Sequence, residues 1–169
     1  MIFIKALTYG SFFFLVLTGC SKKDDVEQIR QIIQEGATLA EEHDISGLMK
    51  LTADDFQALP GRHNRAETKK IIWLVFRHYG PLRIVYPEPT VDVDVKGRTA
   101  VAKLYFLIVK KGQSLPKLKD LYKDPKRWIE KVGEQADLYQ LTLKFVKSDD
   151  DWLVKQAQFS TFQGFGFNE

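Results

Sequence analysis

The sequence predicts an α+β domain in which helices come first and an antiparallel sheet follows. Before Gly80-Pro81 the apolar residues recur at helical spacing, and after it they alternate with the period of strands. Helices and strands segregated in this way along a chain are typical of the α+β class. Residues 20–169 are numerous enough for one domain with a well-buried core, so a second domain is not expected.

Three helices are predicted in the N-terminal half of the chain. Asp24 or Asp25 can cap the first helix, whose stripe of apolar residues ends near His43. Asp44 then begins a short second helix, and a brief strand follows at residues 56–59.

The third helix is predicted to lie between a capping box and a glycine. Asn64 and Glu67 have the spacing of the box. Gly80-Pro81 ends the helix, because glycine adopts the left-handed conformation easily and proline cannot continue a helix. A continuous apolar run predicts that this helix is largely buried: Ile71, Ile72, Trp73, Leu74, Val75 and Phe76.

The C-terminal half is predicted to form the sheet. Residues 99–110 are the longest strand candidate, and apolar residues on both faces predict a central position. A tight turn at residues 96–98 precedes this strand, and residues 164–169 form a tail. The other predicted strands are residues 82–95, interrupted at Pro87-Glu88-Pro89, residues 138–146 and residues 152–162.

The first 20 residues have the layout of a secretory signal. Lys5 precedes an apolar core at residues 12–17, and small residues follow. Polar residues interrupt the run, which is shorter than the roughly 20 apolar residues that a spanning helix needs. Its end, Leu17-Thr18-Gly19-Cys20, resembles the lipobox of bacterial lipoproteins, in which the cysteine is lipidated and becomes the first mature residue. An ordinary signal peptide with an incidental cysteine is the alternative.

The lipobox resemblance implies a cell-envelope protein held by membrane lipid through acylated Cys20. Residues 1–19 would then be removed as a signal peptide, and residues 20–25 would be the lipidated cysteine and a short tether. Stable anchoring needs more than one acyl chain, and the diacylglyceryl cysteine of that family, a palmitate-type anchor, provides them. Ser21 stands where an aspartate favours inner-membrane retention, which implies the outer membrane facing the periplasm if the source is Gram-negative.

Charge, cysteine content and histidine spacing exclude several classes. Lys and Arg number 25 against 22 Asp and Glu, without a block of like charges long enough for nucleic-acid binding. Cys20 is the only cysteine, so no internal disulfide is expected. His43, His63 and His78 lack the spacing of metal ligands, and neither a metal nor a cofactor is expected.

The order of the elements resembles the NTF2-like superfamily, which includes SnoaL-like and ketosteroid-isomerase-like proteins. The resemblance rests on residues 44–56 with Pro60-Gly61 after them, on residues 64–72, and on Trp152-Leu153-Val154 before a final strand. It implies a cone over residues 26–163, in which N-terminal helices pack on a curved, mainly antiparallel sheet and enclose a pocket.

No catalytic residue can be assigned from the sequence. Ketosteroid-isomerase-like members use an aspartate base with a tyrosine and a protonated acid as donors. Residues of these types are present, but none matches a motif position: Asp54, Asp55, Tyr79, Tyr105 and Tyr139. A solvated pair at the end of a helix is the alternative for the two aspartates.

Two functions from different classes follow from the implied cone. The first is a membrane-anchored domain that binds a small apolar ligand or a protein partner in the cell envelope without catalysis. The alternative is a small pocket enzyme of the isomerase or dehydratase type. Convergent ionisable groups in the pocket would favour the enzyme, and an aliphatic and aromatic lining would favour binding. The candidate residues for the pocket or its lid are Trp73, Tyr105, Trp128 and Tyr139.

A homodimer is predicted through the outer face of the sheet. Apolar area is expected there at Val101, Tyr105, Leu107 and Val109. A C-terminal tail that covers this face is the alternative.

The connector at residues 111–136 departs from the superfamily because it is far longer than a hairpin turn. It is predicted to be a flap with a short helix from Pro125 to Val132. Trp128 would dock over the open end of the cone or at lipid headgroups. A solvated insertion whose Trp128 packs on a strand is the alternative.

Overall fold

A computed structural model describes residues 22–94, 96–110, 112, 127, 132 and 136–161. Its helices are α1 (Lys22–Glu41), α2 (Ile45–Lys50) and α3 (Arg65–Tyr79). Its strands are β1 (Thr52–Leu59), between α2 and α3, and then β2 (Leu82–Val85), β3 (Thr90–Val93), β4 (Thr99–Lys110), β5 (Ala136–Ser148) and β6 (Asp151–Thr161). The predicted α+β class and the predicted order of elements are confirmed.

The described strands form one six-stranded sheet with the order β1-β6-β5-β4-β2, and β3 also pairs with β4. β1 runs parallel to β6, and the other described pairs are antiparallel. β4 lies between β5 on one side and β2 with β3 on the other, which confirms its central position. Pro87 and Pro89 separate β2 from β3, because proline has no amide hydrogen to donate to a ladder.

Local sequence signals determine where α2 and α3 begin and where α3 ends. The Asp44 carboxylate accepts a hydrogen bond from the Gly47 amide at 2.9 Å and caps α2. The Asn64 side chain accepts from the Glu67 amide at 3.0 Å, and the Glu67 carboxylate accepts from the Asn64 amide at 2.9 Å. The predicted capping box is therefore confirmed. Gly80 ends α3 with φ of 61°, in the left-handed region that favours glycine.

α1 begins at Lys22, within the stretch predicted to be a tether. Asp25, predicted as a candidate cap, instead lies buried in the first turn of the helix. Its carboxylate accepts hydrogen bonds from the Lys147 ammonium at 2.7 Å and from the Trp152 indole at 3.0 Å. Because a buried carboxylate needs such partners, this contact fixes the start of α1 against β5 and β6.

The main core lies between α1 and the sheet and includes Ile29, Phe145 and Trp152. These residues come from one face of the helix and from alternate positions of two antiparallel strands.

α3 is more exposed than the sequence predicts. The expectation that this helix is largely buried is wrong, since Thr68 is the one buried residue within it. Its large apolar side chains are exposed to 39% at Ile71, 50% at Trp73, 58% at Leu74 and 36% at Val75. For Ile71 and Val75 the cause is the cavity described below, which replaces a filled core on one side of the helix. Trp73 and Leu74 are not among its described lining residues.

A residue of the connector covers part of the outer face of the sheet. Leu107 and Val109 are 4% and 0% exposed and pack against Val132. The apolar area expected to be free at these two positions is therefore buried within the chain, whereas Tyr105 is exposed. The homodimer and the flap stay predictions, and Trp128 lies outside the described residues.

Cys20, the signal segment and the tail at residues 164–169 also lie outside the described residues. Within the part of the chain that is described, no helix is both long enough and apolar enough to cross a bilayer.

Candidate functional site

A cavity of about 520 Å³ lies between the helices and the curved sheet. Its described lining comes from all three helices and from every strand except β3. Alternate residues of β4, namely Leu104, Phe106 and Ile108, line it, as the period of two along a strand requires. The volume is in the range of pockets that enclose small-molecule ligands.

Small side chains on α1 and on the sheet make room for the cavity. Gly36, Ala37 and Ala40 line it from α1, and Ala58 and Ala157 line it from β1 and β6. Packed protein interiors leave few voids larger than a water molecule, so larger residues at these positions would normally fill the space. The empty volume beside Ala37 and Ala40 is a property of the tertiary structure.

The lining is almost entirely aliphatic and aromatic. Among the described lining residues, the side chains that carry oxygen or nitrogen are those of Thr52, His63, Thr68 and Tyr86, and none is a carboxylate, lysine or arginine. The Thr52 hydroxyl donates to the Met49 carbonyl at 2.8 Å, so its proton is not available to a ligand. Cavities of this kind hold water poorly and accept apolar molecules.

The cavity opens beside α3 and near the end of β6. Ile71 and Val75 of α3 and Phe159 of β6 line it and are also exposed, and we call these three the mouth residues. An apolar side chain that faces an open cavity has no packed partner on that side. The exposure of Ile71 and Val75 follows from this arrangement, whereas Trp73 and Leu74 are outside the described lining.

His63 is the only histidine among the described lining residues. Its Nδ1 lies 3.8 Å from Glu67 Oε2, which is too long for a hydrogen bond. Its backbone pairs with Ala58 through hydrogen bonds of 2.8 and 2.9 Å, which holds the turn between β1 and α3. Tyr86, the other ionisable residue of this lining, has its pKa raised by burial and by the Glu41 charge, so it is neutral. The described lining therefore lacks an acid and base in contact.

His43 and His78 make their contacts outside the described lining of the cavity. The His43 ring stacks on Phe76 at 4.5 Å, and its Nε2 lies 3.1 Å from the Gly80 carbonyl. His78 is exposed and meets the Tyr79 ring edge-on. Neither histidine is in the described lining.

The two candidate aspartates lie on the surface of β1, outside the cavity. Asp54 pairs with Arg65 at 2.6 Å, and Asp55 pairs with Lys155 at 2.9 Å. The Lys155 ammonium holds the pKa of Asp55 below its ordinary value. Nowhere in the described part of the chain do three His, Cys, Asp or Glu side chains group as metal ligands.

A polar cluster next to the cavity joins α3 to β5. The Tyr79 hydroxyl donates to Asp137 at 2.6 Å and lies 2.7 Å from the Tyr139 hydroxyl, which must then donate to Tyr79. Burial, followed by the hydrogen bond to Asp137, raises the pKa of Tyr79 well above its ordinary value, so Tyr79 stays protonated. The Tyr139 ring contacts Phe106 and Phe159, which line the cavity, but the three polar residues are outside the described lining.

The four residues predicted for a pocket or lid lie in different places. Tyr139 contacts two lining residues, as described above. Trp73 lies on the side of α3 away from the cavity, with its ring 5.4 Å from the Arg77 guanidinium. Tyr105 is exposed on the outer face of β4, and Trp128 lies outside the described residues. The sequence analysis did not predict that the small residues of α1 line the cavity. The available signal was the run of Gly and Ala on the apolar side of this helix.

The fold is identified by comparison with solved structures. No protein-family model and no curated protein matches the chain. An NTF2-like protein of unknown function from Pseudomonas putida KT2440 has a TM-score of 0.63 and 16% identity, over 88% of this chain and 94% of that one. A candidate scytalone dehydratase from Novosphingobium aromaticivorans DSM 12444 has a TM-score of 0.63 and 14% identity, over 84% and 87%. Bd1075 of Bdellovibrio bacteriovorus has a TM-score of 0.59 and 12% identity, over 81% of this chain and 40% of that one.

The chain therefore has the NTF2-like, cystatin-like fold, with helices packed on a curved, mostly antiparallel sheet that does not close. The predicted cone is confirmed. At 12–16% identity these likenesses concern the fold and carry no activity over to this chain.

Proposed function

We propose that this chain is a membrane-anchored lipoprotein whose cavity binds a small apolar ligand in the cell envelope without catalysis. The observation that carries the proposal is the cavity of about 520 Å³ with an aliphatic and aromatic described lining. A ligand pocket of this size is typically apolar, with few polar groups that orient the ligand. His63, in the turn before α3, and Thr68, near the start of α3, are the groups placed to do so.

The cavity favours neutral ligands over charged ones. Its described lining has no lysine or arginine to pair with a carboxylate, and burying an unpaired charge is costly. Each buried CH2 group contributes about 0.8 kcal/mol, so an alkyl chain supplies enough free energy to bind without specific polar contacts.

Binding of the fluorescent apolar probe 1-aminoanthracene to the purified full chain tests the proposal. We expect saturable binding to the wild type and about tenfold weaker binding to Ala37→Phe, whose ring would occupy the cavity. Gln31→Phe is the matched control, because Gln31 is exposed on the same helix and is not a lining residue. All three proteins carry the same residues 1–21, so probe uptake by that segment cancels in the comparison. Equal binding by all three would contradict the proposal.

Displacement of the probe by straight-chain alcohols tests the class of ligand. The Kd should fall about fourfold for each added carbon until the cavity is full. The matching carboxylic acids should bind more weakly at neutral pH, because their charge has no cationic partner in the described lining. A Kd that does not depend on chain length would count against an apolar cavity site.

The membrane anchor is the second part of the proposal. A single residue, Ser21, separates Cys20 from the start of α1 at Lys22, and the Asp25 contact holds that start against the sheet. An acylated Cys20 would therefore keep the domain close to the bilayer, at the outer membrane facing the periplasm in a Gram-negative cell. Bacteria grown with an alkyne analogue of palmitate should label the wild type and Ser21→Ala but not Cys20→Ala. Labelling of Cys20→Ala would contradict the anchor.

The catalytic alternative, an isomerase or dehydratase, rests on His63 at the cavity wall and Glu67 beside it. The likeness to a candidate scytalone dehydratase is the second support for it. If the chain is a dehydratase, His63→Gln should abolish turnover while the probe still binds. Turnover that survives in His63→Gln would remove this histidine from the reaction.

A further inference from the structure

The outer face of α3 carries apolar side chains whose exposure the cavity does not explain. Trp73 and Leu74 are half or more exposed and are not among the described lining residues. Thr68, Ile72 and Val75 line the cavity from the other side of the helix, as the period of 3.6 residues requires. Large apolar side chains that lie next to each other on a surface mark a place that another group covers.

Three basic side chains flank these two apolar residues. Lys69 and Arg77 each lie four residues from Trp73, and Lys70 lies four residues before Leu74. Residues four apart are neighbours on the surface of a helix, so all five lie on one face, which we call the basic face. Its three cations are exposed, and the Arg77 guanidinium lies 5.4 Å from the Trp73 ring.

No carboxylate of α3 offsets the charge of the basic face. The one acidic residue of this helix is Glu67, whose side chain accepts from the Asn64 amide at 2.9 Å in the capping box. Neither Lys69 nor Lys70 forms an ion pair with a described residue. The basic face is therefore complementary in charge to an anionic surface.

An open depression on this face brings basic and apolar side chains together. Its described lining consists of Ile45 of α2 with Lys69, Lys70, Trp73 and Leu74. The stem of a lysine is apolar and can lie along an apolar surface while its ammonium group reaches a charged one. Tryptophan is enriched at the level of lipid headgroups. A helix face with Trp and Leu beside Lys and Arg is typical of segments that lie in the plane of a membrane interface.

We propose that the basic face of α3 docks the domain on an anionic phospholipid bilayer, with Trp73 and Leu74 in the headgroup layer. A bilayer offers phosphates to the cations and an apolar interior to the two other side chains. A second copy of the chain fits this surface less well, because a two-fold contact through it would bring Lys69 and Lys70 of each copy together. The inference goes beyond the proposed function and requires neither a cavity ligand nor acylation of Cys20.

Docking of this kind would bring the cavity mouth close to the bilayer. Leu74 directly precedes Val75 and follows Ile71 by three residues, and both of these are mouth residues. Residues three apart are neighbours on a helix surface, so the basic face borders the mouth. An apolar molecule dissolved in the bilayer would then have a short path to the cavity.

Vesicle flotation with the purified full chain tests the inference. Phosphatidylcholine vesicles with phosphatidylglycerol at about 3:1 are compared with phosphatidylcholine alone, and the readout is the ratio of the two partition coefficients. Each basic side chain near an anionic surface strengthens binding about fivefold, so Lys69→Gln/Lys70→Gln should lower this ratio about 25-fold. Residues 1–21 are the same in every protein, so their uptake by vesicles cancels in the comparison.

Lys103→Gln/Lys144→Gln is the matched control for this experiment. Both lysines are exposed, on β4 and β5, and the variant loses the same amount of charge. Its ratio should equal that of the wild type. An equal fall in both variants would overturn the inference, because the charge would then act without regard to its position. Equal ratios in all three proteins would also overturn it, in favour of an acidic protein as the occupant of this face.

Quenching of tryptophan fluorescence by brominated phosphatidylcholine, mixed into the same anionic vesicles, tests the depth of Trp73. Bromine quenches at short range, so the emission of the wild type should fall on binding. Trp73→Phe keeps an apolar ring and should still bind, but most of the quenching should disappear. Trp152 is buried in the main core and does not reach the lipid. Quenching of the same size in the wild type and in Trp73→Phe would overturn the inference.

Discussion

Asp25 joins the first turn of α1 to the sheet through a buried ion pair. Asp25→Asn keeps the shape of the side chain but removes the charge that Lys147 meets at 2.7 Å. Breaking one side of a buried pair costs about 3 kcal/mol, so the free energy of unfolding should fall by that amount in urea titrations. Asp24→Asn, at the neighbouring exposed carboxylate, should change it little. Equal stability of the two variants would show that the ion pair contributes nothing.

The contribution of Asp25 should depend on pH. The Lys147 hydrogen bond, opposed by burial and aided by Trp152, holds the pKa of Asp25 below its ordinary value. Its stabilisation is thus complete above the unfolded-state pKa of about 3.9 and is lost as the pH falls through the lower folded pKa. The stability difference between the wild type and Asp25→Asn should be constant near neutral pH and shrink below about pH 4.

Two glycines in helices should respond to alanine in opposite directions. At Gly36 a new Cβ would lie 3.7 Å from Leu51, an ordinary contact, so Gly36→Ala should stabilise the helix by about 0.5–1 kcal/mol. At Gly47 it would lie 2.6 Å from the Asp44 carboxylate that caps α2, so Gly47→Ala should destabilise. Thermal unfolding of both variants checks this, and a shift of the same sign in both would contradict the geometry.

At the scale of elements, α3 is held at its ends rather than along its length. The capping box fixes its start, and the hydrogen bonds of Tyr79 with Asp137 and Tyr139 fix its end. Between them Ile71, Ile72 and Val75 line the cavity. A helix with this support is expected to open locally at a lower free energy than the strands of the core.

Tyr79→Phe should lower the local stability of α3. Loss of this hydroxyl removes both hydrogen bonds at the end of the helix and should lower the free energy of unfolding by about 1 kcal/mol. Amide hydrogen exchange within α3 should become faster than in the wild type. Tyr139→Phe keeps the bond between Tyr79 and Asp137 and should have a smaller effect on both measurements. A larger effect of Tyr139→Phe than of Tyr79→Phe would show that Tyr139 contributes more than Tyr79 to the stability of α3.

At the scale of the whole molecule, a ligand that binds in the cavity should raise the stability of the folded state. A ligand that binds only the folded state adds about 2.7 kcal/mol at 100 times its Kd. For a domain of this size the midpoint of thermal unfolding should rise by about 5–10 °C with decan-1-ol. Ala37→Phe should show no such rise, because its ring occupies the cavity. A similar rise in both proteins would show that decan-1-ol binds outside the cavity.

The sequence by itself determined the class of the fold and those ends of its elements that carry a local signal, but not the starts of α1 and β1. The caps at Asp44 and Asn64, the stop at Gly80 and the break at Pro87 and Pro89 all act on neighbours a few residues away. Such effects are local, so the residues that cause them can be read in order along the chain.

Only the tertiary structure decided where the cavity lies and which residues line it. The pairing of Asp25 with Trp152 joins residues 127 apart in sequence, and that of Tyr79 with Tyr139 joins residues 60 apart. An apolar run such as that of α3 has the same pattern whether it faces a filled core or an open cavity. The curvature of the sheet decides between the two, because it sets the distance that the side chains must fill.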